Sequence, residues 1–96
     1  MKTFFDGIFI NKQKLKEAGI EYPIKLEYFK TLEENDEEKF GIEVVKTEYL
    51  DNKVNIETKE INNITNNIEE ADRILEILRK NEVTPIGVED VLQEIL

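Results

Sequence analysis

From Tyr22 onward the apolar residues of this chain change their period once. From Tyr22 to about Ile61 they recur at every second position, as in Ile24, Leu26 and Tyr28, the spacing of a strand with one buried face. After Ile64 they recur three and four apart, as in Ile68, Ala71, Ile74, Leu75 and Leu78, the spacing of one helical stripe. A run of strands followed by a run of helices argues for α+β rather than alternating α/β. A helix stripe that narrow needs a sheet face to cover, and Ile24, Leu26, Tyr28, Phe40, Ile42 and Val44 supply one. The expectation is an α+β fold over residues 1–96: a three- or four-stranded antiparallel meander, two C-terminal helices packed on one face, and a short N-terminal helix.

The ends of the elements are marked by local chemistry. Asp51-Asn52 suits a tight hairpin turn, because both residues tolerate positive φ. A two-residue turn there sets Tyr49 opposite Val54, Thr47 opposite Ile56 and Val45 opposite Thr58. The apolar face then switches at Val44-Val45, which calls for a bulge or for cover on both faces at different places. Thr3 to Ile10 reads as two short strands around Asp6-Gly7 or as one irregular strand. Asn11 suits a helix N-cap, Leu15 and Ala18 the apolar side of a helix over 12–18, and Gly19 a left-handed end with Ile20 folding back. In the C-terminal part, Asn66 or Asn67 is expected to cap a helix with Glu69 or Glu70 completing a capping box, and Asn81 to take the left-handed exit. Thr84-Pro85 reads as an N-cap and first-turn proline before a last helix carrying Val88, Val91, Leu92, Ile95 and Leu96.

Composition removes whole classes of chemistry. There is no Cys and no His, and Ser is absent as well. Disulfides, thiolate zinc sites, the usual neutral-pH acid–base group and the common nucleophiles are therefore missing. The four glycines form no phosphate-binding loop. An enzyme is not expected, nor any cofactor. The net charge of −9 combines +2 over residues 1–31 with −11 over residues 32–96, and a surface that negative repels phosphate, so direct nucleic-acid binding is not expected. No window reaches the roughly 18 apolar residues of a membrane helix, and Met1 to Gly7 lacks the pattern of a signal peptide. A cytoplasmic location is expected for a cysteine-free chain.

Two carboxylate groupings invite a chemical reading. Glu33, Glu34, Asp36, Glu37 and Glu38 form an acidic loop, a possible contact surface; its spacing lacks the alternate acids and central Gly of a calcium loop, so no metal site is expected. Glu43 and Glu60 fall opposite each other if the hairpin register holds that far, a destabilising like-charge pair that would mark a site; the expectation is that the ladder slips or ends before reaching them. The remaining feature is apolar. Val45, Tyr49, Val54 and Ile56 share the face opposite the helices, and the N-terminal Phe4, Phe5, Ile8 and Phe9 are available to cover them. If that cover is incomplete, these four residues form a protein interface anchored by Tyr49, for another protein or a second copy of this chain. No small-molecule site is evident.

Two resemblances add to this. Ile8 to Glu27, with Lys16-Glu17-Ala18-Gly19-Ile20 after a strand, resembles the half-hairpin of bacterial looped-hinge transition-state regulators, swapped dimers that are often antitoxins. The proline that family carries after its first strand is Asn11 here, and its DNA-binding arginines are missing. Ile64-Thr65, Ile74 to Leu78, Asn81 to Ile86 and Asp90 to Leu96 look similar to a family of uncharacterised small acidic proteins from low-GC spore-forming bacteria, over Tyr22 to Leu96. Together these observations lead to an expectation of a non-catalytic protein-interaction or regulatory module. The alternatives are an acidic phage-type inhibitor that imitates nucleic acid and an antitoxin-like regulator.

Overall fold

The computed structural model describes residues 1–10, 22–33 and 39–96. Four strands, β1 (Lys2–Ile10), β2 (Ile24–Glu33), β3 (Lys39–Tyr49) and β4 (Val54–Thr65), are followed by helix α1 (Ile68–Lys80), a 3₁₀ turn over Pro85–Gly87, and helix α2 (Val88–Ile95). The strands form one antiparallel sheet in the order β1-β2-β3-β4. The fold is thus α+β, with four strands and two helices among the described residues. The helix expected over 12–18, with its Asn11 cap and Gly19 end, lies outside the described residues.

The period-two pattern sorts directly onto the two sides of this sheet. Ile24, Leu26 and Tyr28 of β2 and Phe40, Ile42 and Val44 of β3 are buried against Ala71, Ile74, Leu75 and Leu78 of α1 and Val88 and Leu92 of α2. Tyr28 lies at the centre. Its ring is fully buried and its hydroxyl donates to the Val83 carbonyl at 2.9 Å, which gives the only polar atom of that side chain a partner. Burial pushes the phenol pKa well above its ordinary range. Two ion pairs hold α1 to the sheet at its margins, Lys30 Nζ–Asp72 Oδ1 at 2.9 Å and Arg79 Nε–Asp6 Oδ2 at 3.3 Å.

The hairpin register follows the turn. Tyr49 pairs with Val54, Thr47 with Ile56 and Val45 with Thr58. No bulge occurs at Val44-Val45: the strand runs through with Val44 under the helices and Val45 on the other side. The irregularities fall elsewhere. In β1 the register shifts between Phe4 and Asp6, so Thr3 to Ile10 is one irregular strand, and the extra residue, Phe5, packs against the core. In β4 the stretch between Ile61 and Thr65 faces only Gly41 between Ile42 and Phe40, and Asn63 there takes φ 57°. A Cβ at Gly41 would lie 2.4 Å from the Ile61 carbonyl oxygen, so this bulge exists because position 41 has no side chain.

The helix termini correct three local expectations. Asn67 caps α1 by accepting from the Glu69 and Glu70 amides, but the capping box is not closed. The Asn67 amide donates to Thr65 Oγ1 instead, while Glu70 turns outward to Arg73. The left-handed residue after α1 is Glu82, φ 51°, not Asn81; one further residue is needed before Val83 can turn back into the core. Thr84 stands at the cap position without a side-chain hydrogen bond, and Pro85 begins a 3₁₀ turn before α2. Ile68, although in the apolar stripe, is 50% exposed because it starts the helix beyond the sheet. Among the described residues, no helix is long and apolar enough to cross a membrane.

Candidate protein-binding surface

Both helices cover the same side of the sheet, and no described element packs over the other. β1 does not cover that second face. It joins the sheet beside β2, so Phe4 and Phe9 become part of the face while Phe5 and Ile8 pack against the helix-side core. The N-terminal segment therefore lies beside Val45, Tyr49, Val54 and Ile56 and not across them, with Phe9 alone stacked on Tyr49. Once β1 can pair with β2 through its backbone, edge addition satisfies its amides and carbonyls, which lying flat across side chains would not.

Two aromatic contacts organise this open face. Phe9 and Tyr49 stack at 5.9 Å between ring centroids with an interplanar angle of 14°. At the other end Phe4 meets Phe29 edge-on, at 5.6 Å and 73°. The strip continues onto β4 through Val54 and Ile56, which are 52% and 65% exposed, and Phe9 is 63% exposed. Val45 and Tyr49 are half-buried, and Thr47 between them is buried. The four residues expected to form an interface therefore do share one face.

The Glu43–Glu60 pair is real: the register carries that far and sets them opposite each other. It is not left as two bare charges. Lys2 Nζ donates to Glu43 Oε1 at 2.8 Å and sits 4.5 Å from the Phe29 ring centroid. That hydrogen bond, reinforced by the negative charge of Glu43, Glu60 and Glu27, raises the Lys2 pKa. A cation bonded to Glu43, near the charge of Glu60 and set against an aromatic ring offsets the like-charge repulsion and ties the β1 edge to β3. The arrangement reads as structural, since Lys2 bonds Glu43 directly and the negative charge of Glu60 acts on the same lysine.

Of the acidic loop only Glu33 lies within the described residues, exposed at the end of β2; Glu34, Asp36, Glu37 and Glu38 lie outside them. Among the described residues, no group of three or more carboxylates is placed to hold a metal ion. The concavities found there are open grooves, the two on the β4 side lying between β4 and the 3₁₀ turn and α2. Sequence reasoning missed these grooves. They depend on how α2 returns beside β4, and no local pattern encodes that.

A family model covers residues 2–96, which includes β1 as well as the meander and both helices. The chain belongs to DUF6514, a family of unknown function. No curated protein and no solved structure matches it. For this DUF6514 chain the match spans every element that builds the open face, so the face is part of the family's domain and not an appendage to it.

Proposed function

We propose that the chain is a non-catalytic module that binds another protein through the open face of its sheet. The observation that carries this reading is the strip formed by Phe9, Val45, Tyr49, Val54 and Ile56, which is contiguous, apolar and uncovered by any described element. Large apolar patches are uncommon on monomers and mark interaction sites. Aromatic anchors of the Tyr49 kind dominate the energetics of such sites. The missing Cys, His and Ser support a binding role over catalysis. The absence of cysteine also suits a reducing compartment such as the cytoplasm.

Tyr49→Ala tests the reading. It removes the stack on Phe9 and leaves the helix-side core intact, so thermal stability should fall only slightly. Binding should weaken by about 2 kcal/mol or more, as for a central aromatic anchor. The assays are thermal melting, sedimentation at several concentrations, and pull-down by the wild-type and variant proteins side by side. Lost stability with unchanged mass and an unchanged set of recovered proteins would make Tyr49 ordinary core.

A further inference from the structure

The sheet has two edges, and they are not equivalent. The β1 edge is broken by the bulge at Phe5, a common device for keeping other strands away. The β4 edge is regular from Val54 to Ile61. The hydrogen bond from the Leu50 amide to the Lys53 carbonyl, 2.9 Å, sets the alternation along this hairpin. Asn55, Glu57, Lys59 and Ile61 turn their backbone groups to β3, whereas Val54, Ile56, Thr58 and Glu60 turn theirs outward. The bond from the Tyr49 amide to the Pro23 carbonyl on the far side of β3 obeys the same alternation.

Beside this edge run two adjoining grooves. One is walled by Glu57, Lys59, Pro85, Ile86 and Glu89, and the next by Ile61, Ile64, Leu92 and Leu96 among others. Ile86 is 82% and Leu96 65% exposed, so apolar surface is available along the whole length. Lys59 crosses the junction to pair with Glu89. With that lysine engaged, Glu57 on the groove side and Glu60 on the opposite side leave this edge acidic. An open strand edge beside a helix and an apolar groove is the arrangement into which an extended peptide adds as a further strand.

We infer that β4 accepts an extended segment of a partner protein as a fifth strand, one in which apolar residues alternate with Lys or Arg. The outward amides and carbonyls of Val54 to Glu60 supply the pairing, the groove takes the apolar side chains on the helix side, and Glu60 on the opposite face selects the basic ones. Charge decides against a second copy as the occupant. Each copy carries −9 and would bring an acidic rim against an acidic rim. The inference rests on the reading of the chain as a protein-binding module but uses a surface separate from Tyr49.

The probes are acetylated, amidated octapeptides of alternating Val and Lys, the same peptide with Glu for Lys, and the Val–Lys peptide N-methylated at alternate residues. The readouts are amide shifts of the full chain by NMR and fluorescence anisotropy titration. The Val–Lys peptide should shift the amides of Val54, Ile56, Thr58 and Glu60 and bind less tightly as salt is raised. The Glu and N-methyl peptides should bind at least about tenfold more weakly, since one meets an acidic rim and the other cannot complete the ladder. Thr58→Pro removes an outward N–H that β3 does not use, a position where strands tolerate proline. It should abolish binding, while Tyr49→Ala should change it less than about twofold; the N-methyl peptide makes the same test without altering the protein. Equal binding of the Val–Lys and Glu peptides, binding that survives both N-methylation and Thr58→Pro, or no binding by millimolar Val–Lys peptide would overturn the inference. Shifts confined to Phe9 and Tyr49 and lost with Tyr49→Ala would overturn it while leaving the open-face reading standing. Concentration-dependent dimers abolished by Thr58→Pro would give the edge to a second copy and overturn it as well.

Discussion

Gly41→Ala adds one methyl group at the tightest point of the sheet. That methyl would stand 2.4 Å from the Ile61 carbonyl oxygen, 2.7 Å from Thr31 Oγ1 and 2.9 Å from the Asn62 Cα. Two of these three atoms are backbone atoms of the β4 bulge, so no rotamer change relieves the overlap. The bulge must move, and β4 is held to β3 on one side of it at Ile61 and on the other at Thr65. Overpacking a tight site costs roughly 1–3 kcal/mol. Against this stands the roughly 0.4–1 kcal/mol that Gly→Ala contributes by restricting the unfolded chain. Because backbone must shift, the net cost should lie near ~2 kcal/mol, or roughly 8–16 °C in the melting temperature of a domain this size. Gly87→Ala is the matching control. A Cβ there meets only Val83 Cγ1 at 3.6 Å, and the backbone is right-handed at φ −87° and ψ −7°. That variant should be stabilised by roughly 0.4–1 kcal/mol. Urea denaturation of both variants, with the slope checked for constancy, measures the two signs directly. A neutral or stabilised Gly41→Ala would refute the steric account of the bulge.

Tyr28→Phe leaves the buried Val83 carbonyl without its donor and should cost roughly 1–3 kcal/mol by denaturant titration. Burial raises the Tyr28 pKa above its ordinary value of 10.0, so its contribution is fully present below that pH and is lost as pH rises above it. The variant should accordingly flatten the alkaline limb of the stability curve. At acid pH the signs reverse. Hydrogen bonds from Arg73 and Arg79 lower the pKa of Glu70 and Glu76 from 4.5, so these pairs stabilise the fold above that pH and lose their effect as pH falls below it. Both pairs lie on the exposed side of α1, where solvent screens them. Glu70→Gln with Glu76→Gln should therefore remove a small part of the acid-side loss measured at low salt, and that difference should shrink at high salt.

How far the chain can be read without its tertiary structure varies by element. The alternation through Ile24, Leu26 and Tyr28, the turn at Asp51-Asn52 and the stripe through Ile74 and Leu78 each rest on neighbours close in sequence. Strand faces, hairpin register, the position of α1 and, to within one residue, its Asn67 cap were therefore legible. The four residues on the open face were legible for the same reason, since a register fixed at one turn propagates along the ladder two residues at a time.

What was decided only in three dimensions involves partners distant along the chain. Whether Phe4 and Phe9 cover the open face or extend it depends on β1 finding the edge of β2, a pairing governed by backbone hydrogen bonds that side-chain patterns do not encode. The Glu43–Glu60 pair looked like a liability because Lys2, the cation that neutralises it, lies 41 positions from Glu43. Gly41 and Asn62-Asn63 hinted at irregular backbone, but only the close approach of β4 to position 41 turns them into a bulge. The groove beside β4 has no sequence signature. Pro85, Ile86 and Leu92 come to lie along that edge because Glu82 turns the chain and Val83 buries itself over Tyr28, and hydrophobic burial, having no direction of its own, takes its geometry from the packing that surrounds it.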